Sequence, residues 1–130
     1  MAAASDYLEL KILEHTLGIS SYTAPTTTYL ALFTSDPTDA GTGTEVSTSG
    51  TAYARQAISW NTPSSGATTN SADVTFPQAT ANYGTVTHIG IYDASSAGNL
   101  LYHGSLSASK SVEENDTFIV EAGDLSVSLD

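Results

Sequence analysis

Residues 85–107 read TVTHIGIYDASSAGNLLYHGSLS, and they decide the fold. Two β-rich runs flank a short Asp-Ala-Ser-Ser-Ala-Gly-Asn segment, and each run sets apolar side chains on alternate positions, as a strand does when it covers a core. The stretch is predicted to be a β-hairpin. His88 and His103 fall on its two arms, close enough to opposite each other for their side chains to be neighbours. Gly90 and Gly104 interrupt the arms and leave backbone that another group can approach closely.

Working outward, residues 117–121 and 124–129 read as two more strands, with Ala122-Gly123 as a tight hairpin turn between them. The last alternates Leu125, Val127 and Leu129 against Ser126, Ser128 and Asp130, the pattern of a one-sided strand. Upstream, residues 28–35 (TYLALFTS) are β-formers with apolar side chains on both faces, as a strand buried from two sides requires. Asp36-Pro37 ends that run in a turn. Residues 53–60 and 72–76 are expected to add further strands, the latter closed by Pro77.

One segment has a different period. Asp6 and Glu9 have capping-box spacing, with Ser5 a competing N-cap, and Leu10, Leu13 and Leu17 fall on one side of a helix predicted over about 6–17. Leu8 and Ile12 widen the stripe and Gly18 suits the C′ position. A helix this short needs a docking partner. It covers one end of the chain's own sheet, or it packs against a neighbouring subunit. The fold class that follows is mainly β: an antiparallel β-sandwich or jelly-roll-like domain over about 28–130 with one N-terminal amphipathic α-helix, the whole of 1–130 being one domain.

Composition narrows the function. Three basic residues against fourteen acidic ones give a net charge of −11, which opposes a phosphate backbone, so no nucleic acid is expected as partner. There is no cysteine, hence no disulfide framework and no thiolate metal site. The N-terminus lacks the basic and apolar regions of a signal peptide, and no run approaches a membrane span, so a soluble protein with no membrane partner is expected.

The candidate chemistry is thin. Two histidines can begin a metal site, but zinc wants three or four ligands and spacing fixes no third. Asp36, Asp39 and Glu45 could gather around Ca²⁺, although their spacing does not match a Ca²⁺ loop. No G-x-S-x-G elbow or phosphate-binding glycine loop is present. No catalytic residue, metal ligand or cofactor is therefore assigned. Contact residues are the better candidates. The glycine-rich loop 40–51, with Glu45 and Val46, is long enough to be a contact arm. Tyr22, Tyr53 and Tyr83 lie near loop boundaries, where an aromatic ring can meet a protein or a sugar.

With those residues in view, the chain resembles a family of small tailed-bacteriophage structural proteins commonly labelled tail-fibre-like. The segments that carry the resemblance are YLALFTSDPTDAGTGTEVS (29–47), TAYARQAI (51–58), TNSADVTFPQATANYGTVTHIGIYDA (69–94), GNLLYHGSL (98–106) and AGDLSVSLD (122–130). The resemblance implies a non-enzymatic virion component, made in the host cytoplasm and carried on the outer surface of the particle. Because the chain has neither repeats nor a long extended segment, the expected role is a capsid decoration, or cement, protein that bridges major capsid subunits as a homo-trimer. The alternative is a tail-fibre, baseplate or receptor-recognition subunit meeting host surface glycans. The contacts expected in either role are Leu10, Leu13, Leu17, Tyr22, Glu45, Val46, Tyr53, Tyr83, His88 and His103.

Overall fold

A computed structural model describes residues 2–129; Asp130, expected on the polar face of the last strand, lies outside them. The hairpin forms as predicted and is the centre of the molecule. Its arms are β6 (Gly84–Tyr92) and β7 (Leu100–Val112), and they lie inside an antiparallel sheet of five strands. That sheet runs β1 (Ala3–Ala4), β7, β6, β2 (Thr28–Phe33) and β3 (Gln56–Ile58). The fold is mainly β, with one N-terminal helix, α1 (Asp6–Thr16).

Four short strands make two small ladders. β4 (Ala67–Thr69) pairs with β9 (Ser126–Ser128), and β5 (Val74–Thr75) pairs with β8 (Ile119–Val120). Here the structure corrects the expected 117–129 hairpin, because β8 and β9 belong to different ladders. The reason is Asn70, which captures the connection between them: its side-chain oxygen accepts from Gly123 N and Leu125 N, so the chain after β8 is drawn toward β4. The ladders and one face of the large sheet enclose the main core, which includes Leu30, Leu32, Ile89, Ile91, Phe76 and Phe118.

The opposite face of the large sheet is also covered, which explains why β2 is apolar on both sides: Leu30, Ala31, Leu32 and Phe33 are all buried. A smaller cluster of Ala31, Phe33, Tyr92 and Leu100 fills that side. Gly90 makes it possible. A β-carbon there would stand 2.9 Å from both Phe33 Cε1 and Leu100 Cδ1 and 3.2 Å from Tyr92 Cε1, and Phe33 and Tyr92 are stacked rings with little room to move. The bare backbone expected to let another group approach closely is met at Gly90 by side chains of this same chain. Gly90→Ala should cost about 1–3 kcal/mol by overpacking, read as a lower urea midpoint with an unchanged slope. An unshifted midpoint would mean that the stacked rings yield freely.

The loop 40–51 covers the edge of this second face and is pinned there. Glu45 bridges Phe33, Val46 N donates to Leu32 O, and Thr34 N donates to Thr44 O. Gly43 lies so close to Pro37 that a β-carbon would meet Pro37 Cα at 2.6 Å. A closed arch replaces the free arm anticipated from the glycine content.

Candidate docking surface and the polar lock beside it

Arg55 precedes β3, and its guanidinium reaches across the second face of the sheet. Nε and Nη2 donate to the two oxygens of Glu45 at 2.9 and 2.8 Å, and Nη1 donates to Ala94 O at 3.0 Å and Ala97 O at 2.8 Å. The plane lies over the Tyr92 ring at 3.7 Å. One side chain, 8% exposed, therefore ties the arch to the turn of the central hairpin. Burial is the largest influence on its proton and works against the charge, yet Glu45 outweighs it and holds the guanidinium above its ordinary value. Tyr53 completes the lock: its hydroxyl donates to Glu45 Oε2 and accepts from Leu32 N. Burial, reinforced by Glu45, pushes that phenol far above its usual range.

The histidines lie nearby but are not opposite. Gly90 pairs with His103 and His88 with Ser105, so the two imidazoles are diagonal neighbours on one face. His103 Nε2 donates to Asp39 Oδ1 at 2.6 Å, and Asp36 stands between the rings, 3.9 Å from His103 Nδ1 and 4.0 Å from His88 Nε2. Thr87 Oγ1 bonds His88 Nδ1 at 2.8 Å. Among the described residues, no group of three or more His, Asp or Glu side chains is arranged to hold a metal ion. Glu45, considered with Asp36 and Asp39 for calcium, is engaged by Arg55 instead. What the cluster does is fasten the start of the arch to β7.

Of the other expected contacts, Val46, Tyr53 and Tyr83 are buried. Tyr53 stacks on Phe76 and meets Tyr83 edge-on, and Tyr83 donates to Pro77 O. Their aromatic surface is spent inside this chain, so a partner could reach it only by opening the core. Tyr22 is half-buried after the helix, where its backbone N–H donates to His15 Nδ1; burial raises its phenol.

The three leucines have the opposite fate. Ser5, rather than Asp6, caps α1, accepting from Leu8 N while its own hydroxyl donates to Leu100 O on the sheet. That double use fixes the helix rotation. Leu8 goes inward and Ile12 is half-buried, while Leu10, Leu13 and Leu17 are 61, 54 and 69% exposed. Positions 8 and 12 lie on the side of the helix opposite positions 10, 13 and 17, so α1 has two apolar faces and only one is used. Leu8 and Ile12 therefore do not widen the leucine stripe as expected: the helix rests on the chain's own sheet through Leu8, and Leu10, Leu13 and Leu17 are left facing out. Ile19, past the end of the helix, is 72% exposed as well, and beside Leu13 lies a groove of about 650 Å³ whose lining includes Ala3, Ile12, Leu13 and Leu129. An exposed apolar strip of this extent is what interaction surfaces look like. The sequence had named these leucines, but it could not say which side of the helix Ser5 would turn inward.

The geometry is thus a β-sheet packed on both faces with an apolar strip of α1 left outside, and comparison with known families supplies the class, a structural phage protein of the fibre kind. The family model described as Podophage GP4 fiber I protein gp80 matches residues 3–128, and the chain belongs to that family. No curated protein matches it.

Proposed function

We propose that this chain is a non-catalytic structural subunit of the fibre apparatus of a tailed phage, exposed on the particle and joined to its neighbours through the outward face of α1. The observation that carries the reading is the orientation of the helix. Leu10, Leu13 and Leu17 stay in solvent although the same helix buries Leu8, and a body otherwise closed on both faces has this strip to offer an assembly. Polar chemistry points the same way: the acidic and histidine side chains gathered on the second face are engaged in fastening the arch to the hairpin.

Capsid decoration, the placement expected from sequence, has less support. It relied on the helix and on the loop 40–51 together as bridging segments, and of these the loop is closed into an arch with Glu45 and Val46 held against the sheet, which leaves the helix alone to make the contact. Glycan capture by Tyr53 and Tyr83 meets the same difficulty, since both rings are core. Cryo-EM of virions decides between the placements. A few copies at the tail are expected, and density for the chain distributed over the icosahedral shell would replace the fibre reading with the cement one.

A further inference from the structure

We infer that the occupant of the outward face of α1 is a second copy of this chain, and that the two helices meet antiparallel. This deepens the assembly role proposed above and rests on it. Leu10, Leu13 and Leu17 are spaced i, i+3, i+7, the a-d-a seam of a helix pair, which is narrower than the stripe by which a helix docks on a sheet. The surface is also self-complementary in form. A ridge of leucines runs beside a groove whose lining includes Ala3 and Leu129, so two copies can each offer a ridge and receive one, as a twofold contact requires.

Charge selects the orientation. With Leu10 and Leu17 at a and Leu13 at d, Glu9 and Thr16 are the g positions and Tyr7 and Glu14 the e positions. A parallel pair, or a parallel threefold bundle, sets g against e and brings Glu9 alongside Glu14 of the neighbour. In a chain of net charge −11, that adds repulsion at the centre of the contact. An antiparallel pair sets g against g and e against e. Glu9 then faces Thr16, Glu14 faces Tyr7, and the two helix dipoles oppose each other favourably. Lys11, paired with Glu14 at 2.9 Å within its own helix, softens the Glu9–Glu14 repulsion of a parallel pair without reversing it, because both side chains are one-third exposed and a solvated pair of this kind is weak.

The purified protein should give, by light scattering over a concentration series, a mass approaching twice the 13.4 kDa chain. Leu10→Ser, Leu13→Ser and Leu17→Ser together should return it to monomer with the circular dichroism of a folded protein, since none of the three is in the core. Leu8→Ala, on the inward face, should lower the melting temperature and leave the mass doubled at moderate temperature. The absence of cysteine permits a direct test of orientation. A mixture of Glu9→Cys and Thr16→Cys proteins should form disulfide-linked heterodimers on mild oxidation, and a mixture of Glu9→Cys and Glu14→Cys should not. A monomer at every concentration, or a trimer, overturns the twofold pair; preferential 9-to-14 linkage overturns its orientation. The fibre placement stands apart from these results, because virion imaging reads it directly.

Discussion

Replacing Arg55 by alanine should cost about 3 kcal/mol of folding stability, one of the two largest effects expected of any single substitution in this chain. The guanidinium makes two bonds to Glu45 and one each to the carbonyls of Ala94 and Ala97. An ion pair of this kind adds little relative to a well-packed apolar substitute, but removing one partner strands the other. Glu45 would keep its charge with only Tyr53 to donate to it, and two carbonyls of the hairpin turn would lose their donor. Because the Glu45 side chain is 26% exposed, water offsets part of the loss, so the value belongs at the lower end of the roughly 3–5 kcal/mol seen when buried pairs are broken. For a chain of this length the melting temperature should fall by roughly 10 °C. Arg55→Lys should recover less than half, since an ammonium can neither pair bidentately with Glu45 nor lie flat on Tyr92. Full recovery by lysine would show that charge alone matters and that the fork geometry does not.

That residue also shows where sequence reading stops. Tyr53–Trp60 was legible as a strand by its alternation, although only Gln56–Ile58 forms one. Nothing in the alternation of polar and apolar residues says that Arg55 will cross to the turn at 94–97, because the partner carbonyls are fixed by tertiary placement. The hairpin, the helix and the two-sided burial of β2 were legible, each being a periodic signal written over several consecutive residues. Three of the four short strands were legible as well, within 72–76, 117–121 and 124–129, but β4 and the pairing of the four into two ladders were not, since pairing between distant segments leaves no period in either. The same limit explains the loop 40–51. Its glycines suggest mobility, yet Gly43 is there because Pro37 occupies the space a side chain would need.

The candidate site divides along a similar line. Helical spacing put Leu10, Leu13 and Leu17 together, and their exposure turns on one local competition: Ser5 against Asp6 for the cap. Tyr53 and Tyr83 were chosen because they border loops, but a ring that borders a loop can turn inward as readily as outward. Both do so because Phe76 supplies a stacking partner for Tyr53, and Pro77 O an acceptor for the Tyr83 hydroxyl. Edge and stacking contacts of this kind stabilise by about 0.5–1.5 kcal/mol each beyond burial.

Asn70 is the other position where a single change should be severe. It is fully buried, and its amide is completely used: Oδ1 accepts from Gly123 N and Leu125 N, and Nδ2 donates to Ala72 O and Glu121 O. Alanine would leave Leu125 N without a partner in the core, Gly123 N would keep its bond to Asn70 O, and the carbonyls of the exposed residues Ala72 and Glu121 would turn in part to water. At about 1–3 kcal/mol for the stranded N–H, with the cavity left by a fully buried side chain added, a loss of roughly 3 kcal/mol is expected. Asn70→Asp is the sharper experiment because it keeps the shape and both acceptor bonds. An ionised aspartate would turn a carboxylate oxygen on the Ala72 and Glu121 carbonyls, whereas the protonated form can still donate to one of them. Burial and the two carbonyls outweigh the two N–H donors, so the native state raises this carboxyl above its unfolded value of about 3.9. The native state then binds the proton more tightly, and by linkage the stability of the variant falls as pH rises from about 4 through the native pKa. Chemical denaturation of Asn70→Asp and of the parent protein should therefore differ least near pH 4 and most at neutral pH. A constant difference across that range would mean that the aspartate reaches water, and that the 70–125 connection opens more easily than its hydrogen bonds imply.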